Sequence, residues 1–161
     1  MTHTVHPKIF KIKENKDWLS RGFYQNNFPQ FLEEDFLIRK FLNKKLPQGS
    51  VSTIEIERTP TVLKVIIQTS RPALIIGRGG RGVEDLNDGL ERIVQKIKNS
   101  APQQKKDIKI EILEVKNPWV SASLISQWVA GQLEKMVPFR RVLKMAISKA
   151  RENKEVQGIR V

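Results

Sequence analysis

Six residues in a row, Gly77-Arg78-Gly79-Gly80-Arg81-Gly82, could cradle a phosphate. Glycine has no Cβ, so it allows positive φ and lets another backbone come close. Amide N–H groups at the start of a following helix would face an approaching anion, and the helix dipole favours negative charge there. Arg78 and Arg81 add two cations beside those donors. A second group lies far along the chain. Arg140, Arg141, Lys144 and Arg151 belong to a stretch without an acid between residues 138 and 151. On a helix, Arg140, Arg141, Lys144, Ser148 and Arg151 fall within about 100° of arc. Phe139, Val142, Leu143, Ala146, Ile147 and Ala150 occupy a separate, apolar sector, expected to pack. A row of guanidinium and ammonium groups engages phosphates whatever the base sequence, with salt-sensitive affinity.

The remaining composition narrows the chemistry. The chain has 161 residues, formal net charge +12 and no cysteine. That excludes a disulfide scaffold, a thiolate zinc site and a cysteine nucleophile. No apolar run reaches the roughly 18 residues of a membrane span. The excess charge sits at both ends: residues 1–50 carry net +4, 51–100 net +2 and 101–161 net +6. A polyanionic partner is expected. No acid/base pair is visible, and Ser121, Ser123 and Ser126 have no nearby histidine to activate them. His3 and His6 are read as incidental, not as metal ligands. Trp119 and Trp128 are expected as core or interface anchors more than as stacking platforms. No enzyme activity, cofactor, metal or small-molecule substrate is expected.

The elements that must position these groups can be read from hydrophobic periodicity. Residues 1–30 mix Lys8, Lys11, Lys13 and Lys16 with Phe10, Trp18, Phe23, Tyr24 and Phe28, and predict an extended basic arm ordered mainly by a partner. A helix is expected over about 31–46, with Glu33, Glu34 and Asp35 in its first turns suiting the macrodipole. Ile54 and Ile56, then Leu63, Val65 and Ile67, alternate with polar residues as two strands, antiparallel because their connection is short. Pro72 opens a short helix before the glycines. A helix after them carries Val83, Leu86, Leu90, Ile93, Val94 and Ile97 on one arc. Ile108, Ile110 and Ile112 mark a third strand. Two helices follow, about 119–136 and 139–152, and Gly158-Ile159-Arg160-Val161 reads as the start of a strand. The fold class is α+β, a three-stranded sheet covered by helices on one face. Residues 1–30 form the arm, 31–116 the α+β unit and 117–161 a helical segment.

Three motif readings compete for the glycines. A Walker loop fails, because no Lys-Ser or Lys-Thr follows. Gly77, Gly79 and Gly82 match a dinucleotide fingerprint, but a strand should precede it and an acid should follow about 20 residues on. Neither holds. Ile76, Gly77, Gly80 and Val83 match the pattern of a KH domain, which places a Gly-x-x-Gly loop between two helices to clamp a single-stranded nucleic-acid backbone.

The segments Ser52 to Arg58 and Arg71 to Gly80, with Gln132-Leu133-Glu134, Phe139-Arg140-Arg141 and Lys144, closely resemble the bacterial small-subunit ribosomal protein S-three family. Val5-His6-Pro7 resembles that family's N-terminal signature, and Trp18 falls near its early tryptophan. The likeness spans residues 5–161. It implies a type II KH domain, binding to small-subunit rRNA in the head, a position at the channel where mRNA enters, and ribosomal protein neighbours. It places the chain in ribosomes, cytoplasmic or organellar. It implies that Arg140, Arg141 and Lys144 grip mRNA and assist its unwinding; by charge and loop chemistry Gly77, Arg78, Gly79, Gly80, Arg81, Arg151, Lys8 and Lys11 are expected to join them as RNA-binding residues. Two features depart from the family. After the strand beginning at Gly158 the family continues into a second α/β domain with a Ser-Gly-Arg-Leu-Gly-Gly-like stretch, expected here to be truncated. The arm after His6-Pro7 reads Lys8-Ile9-Phe10-Lys11-Ile12-Lys13 where the family has glycines. The alternative is a stand-alone KH protein acting on RNA outside the ribosome.

Overall fold

A computed structural model of the chain describes residues 18–22, 28–47, 49–98, 107–156 and 158–160, with the backbone alone for 96–98. The order is β1 (Ser20–Gly22), α1 (Phe28–Lys45), β2 (Val51–Arg58), β3 (Val62–Thr69), α2 (Pro72–Ile76), a 3₁₀ turn (Arg78–Gly80) and α3 (Arg81–Lys98). Then come β4 (Asp107–Glu114), a second 3₁₀ turn (Pro118–Val120), α4 (Ala122–Glu134) and α5 (Phe139–Arg151).

The period-two alternation of β2, β3 and β4 sorts their side chains onto two faces. On the inner face Ile54, Ile56, Leu63, Val65 and Ile67 are buried against Ile38 and Leu42 of α1, Leu46 just beyond its end, Ile75 of α2 and Leu86, Leu90 and Val94 of α3. Ile108, Ile110 and Ile112 of β4 pack at the edge of this core. β2 and β3 are antiparallel, and β4 runs parallel to β3. This α+β layer pair, with its helices on one face of the sheet, agrees with the periodicity.

The outer face carries charge. Arg21 binds Glu55 at 2.7 Å and Glu57 at 3.0 Å, and Lys64 binds Glu111 at 2.6 Å. The hydrogen bond to Glu111 holds the Lys64 ammonium above the usual lysine range.

Two expectations need correction. The sheet has four strands, not three: Ser20–Gly22 adds in parallel to the free edge of β2. Three residues carry no periodicity to read. What holds them is non-local: Arg39 of α1 donates to the Leu19 carbonyl at 2.9 Å, to Ser20 Oγ at 2.7 Å and to the Ile54 carbonyl at 2.7 Å. Part of the arm is thus ordered by the chain itself. Residues 1–17 and 23–27 of the arm, among them Lys8, Lys11, His3 and His6, lie outside the described ones.

The second correction concerns α1, which starts at Phe28, three residues before the expected position. Pro29 is tolerated because a first-turn N–H has no helical partner to lose. The acids therefore lie beyond the first turn. Glu34 and Asp35 are buried and bind Arg58 of β2, so they are ligands of a buried guanidinium, not helix-end charges.

Candidate nucleic-acid interface

Pro72 starts α2 at a position that needs no N–H donor, and α2 ends where Gly77 N–H donates to the Ala73 carbonyl at 3.0 Å. The chain then turns sharply into α3. At Gly82 an added Cβ would run into the carbonyl oxygen of Ile75, so this glycine lets α3 begin directly against α2. Gly79 and Gly80 serve differently. Their φ values are +65° and +83°, and nothing lies within 4 Å of where a Cβ would sit. Their backbone faces open space at the tip of the loop. Arg78 and Arg81 are exposed on either side, and neither makes an ion pair among the described residues. A polyanion can reach this backbone without displacing a side chain.

The same geometry removes the dinucleotide reading. The glycines follow a helix, whereas the fingerprint requires a strand running into the turn.

The basic row lies on a separate layer. Val142, Ala146 and Ala150 of α5 are buried, and Leu124 of α4 is buried with them. Small residues at i, i+4 and i+8 let α5 sit close on its support and leave Arg140, Arg141, Lys144 and Arg151 exposed. Arg140, Arg141, Lys144, Met145 and Ser148 line one shallow open depression, and Lys144, Ile147, Ser148, Arg151 and Glu152 line the next. None of the four cations forms an ion pair among the described residues. Phe139 departs from its expected place in the packed sector: it is exposed, with the Arg140 guanidinium 5.8 Å from its ring centre. It precedes the first buried position of α5, Val142.

The helical pair is tied to the sheet by groups that periodicity does not mark. Gln127 of α4 donates to the Val51 carbonyl at 2.9 Å and accepts from Gly49 N–H at 3.0 Å. The hydroxyls of Ser52 and Ser121 are 2.8 Å apart. Ser123 and Ser126 are likewise spent in local hydrogen bonds within α4. Trp119 and Trp128 are half-buried and meet edge to face, 5.3 Å apart at 72°. The Lys149 ammonium lies 4.7 Å and 5.1 Å from the two ring centres, which turns this cation away from the outer row.

Fold and loop together define a KH-domain protein. The family model for the KH domain matches residues 37–120. The chain is 41% identical over 161 residues to small ribosomal subunit protein uS3 of Endomicrobium trichonymphae, covering all of this chain and 65% of that one. It is 41% identical over 151 residues to uS3 of Caldicellulosiruptor saccharolyticus, covering 93% of this chain and 64% of that one. Against uS3c of Guillardia theta it is 38% identical over 162 residues, covering all of this chain and 71% of the relative. The chain belongs to the small ribosomal subunit protein uS3 family, and spans about two thirds of the length of these relatives.

Proposed function

We propose that the chain is a structural constituent of the small ribosomal subunit that binds RNA at two places. The observation that carries this reading is the loop tip. Left-handed Gly79 and Gly80 face open space between two exposed arginines, in a KH domain of a uS3-family chain. The N–H groups of the loop donate to phosphate oxygens of small-subunit rRNA, and Arg78 and Arg81 add charge-assisted bonds to the same backbone. Residues 31–116 form the RNA-binding unit, residues 117–161 carry the second basic surface, and the arm 1–30 contributes Lys8 and Lys11. On α5, Arg140, Arg141, Lys144 and Arg151 hold incoming mRNA by its phosphates. They resist re-pairing ahead of the moving ribosome. Translocation supplies the energy, so this chain needs no nucleotide site of its own. Neighbouring ribosomal proteins complete its surroundings, in the cytoplasm or an organelle.

The chain expressed in cells should co-migrate with small subunits through a sucrose gradient and stay with them at high salt. Recovery at the top of the gradient would overturn the ribosomal assignment. A second expectation isolates the loop. Arg78→Asp combined with Gly79→Asp places two carboxylates where phosphate is held, and RNA affinity should fall by about tenfold or more. The fold should survive, since Arg78 is exposed, the space at Gly79 is open and Asp tolerates left-handed backbone. Unchanged binding with an intact fold would make the loop structural only.

A further inference from the structure

Helix α4 ends in a turn that donates Met136 N–H to the Leu133 carbonyl at 2.9 Å and Val137 N–H to the Gln132 carbonyl at 3.3 Å. Glycine usually takes the left-handed position of such a turn. Here Met136 occupies it at φ 59°, the one left-handed side-chain residue among those described. Its side chain packs on nothing: the residue is 91% exposed. Leu133 before it is 43% exposed and Phe139 after it 60%. Three large apolar side chains thus stand in solvent at one corner, and the backbone bears strain to present one of them. The left-handed turn caps α4, but the exposure of these three apolar side chains adds nothing to the core. The surroundings are cationic. Lys135 lies within the corner, the Arg140 guanidinium leans over the Phe139 ring at 5.8 Å, and Arg141 and Lys144 follow along α5.

We propose that this corner is a stacking platform for bases of single-stranded RNA, with Phe139 as its centre and Met136 and Leu133 as its apolar flank. The proposal rests on the reading of α5 as a phosphate-holding surface and gives it a preference for strand state. An aromatic face beside a row of cations is the pairing used for sequence-tolerant single-strand binding: cations take the phosphates and the ring takes a base. Charge complementarity selects this occupant over an apolar protein segment, because Lys135, Arg140 and Arg141 outnumber Glu134 at the corner. A duplex keeps its bases stacked inside and offers only phosphates. The cations therefore hold either strand state, whereas Phe139 rewards only the unpaired one.

The test uses the full chain and fluorescence anisotropy of one labelled oligoribonucleotide, first unpaired, then annealed to its complement. Phe139→Ala should weaken single-strand binding by about five- to twentyfold, with the salt dependence and the duplex affinity unchanged. Phe139→Trp should restore or tighten it. The ring is exposed and alanine favours helix, so Phe139→Ala should fold, which circular dichroism checks. Equal loss on both strand states, or no loss on either, would overturn the platform and leave the corner as a protein-binding surface. The variant Arg140→Ala/Arg141→Ala/Lys144→Ala tests the underlying reading separately. If it binds like wild type while Phe139→Ala does not, the phosphate-holding role fails and the platform stands.

Discussion

Replacing Arg58 with methionine should lower folding stability by about 3–5 kcal/mol, the range for removing one partner of a buried ion pair. The side chains of Arg58 and Glu34 are 4% and 7% exposed, and that of Asp35 is 8% exposed. The guanidinium gives Nη1 to Glu34 and both Nε and Nη2 to Asp35 Oδ1, the Nε bond at 3.0 Å. The Phe31 ring lies 5.2 Å from its central carbon. Take the arginine away and two carboxylates remain beside each other in a site closed to water. Neither has another cation to turn to among the described residues. The effect is structural: Arg58 ends β2 and holds the first half of α1 against the sheet. Urea unfolding should show a lower midpoint with the slope retained. Converting Glu34 and Asp35 to leucine in the same protein should recover much of the loss, because an apolar replacement of a whole buried cluster is often neutral. A loss below about 1 kcal/mol would mean that water screens the cluster as it does surface pairs.

The second large effect is on binding. Arg140→Ala/Arg141→Ala/Lys144→Ala should weaken single-stranded RNA binding at low salt by about one to two orders of magnitude. The slope of log affinity against log salt should shrink by about two, since each phosphate contact on a single strand contributes roughly 0.7. The three side chains are exposed and none belongs to the core, so alanine should leave α5 intact or firmer. Translation through a stable hairpin should slow in ribosomes carrying the variant, while translation of an unstructured message should not. An unchanged salt slope, or hairpin translation at the wild-type rate, would remove the mRNA-gripping role from α5.

Much of this was local enough to read directly. Alternation at Ile54, Ile56, Leu63, Val65, Ile67, Ile108, Ile110 and Ile112 marks strands because every second side chain must enter one core. The 3.6-residue recurrence of Leu86, Leu90 and Val94 marks α3 for the same reason. Val142, Ala146 and Ala150 identify the packed side of α5, and with it the cationic side. The glycine cluster between two helices singles out the loop, because its positive φ values are a property of the residues that adopt them. Tertiary structure decided whatever depends on residues far apart in the chain. Arg58 meets Asp35 across 23 positions, and Gln127 meets Val51 across 76. Ser20–Gly22 becomes a strand only because β2 has a free edge and Arg39 reaches it. Phe139 shares the apolar sector with Val142, yet it is exposed while Val142 is buried. Periodicity says which way a side chain points from its own element. Whether another element waits there is settled only when the whole chain has packed.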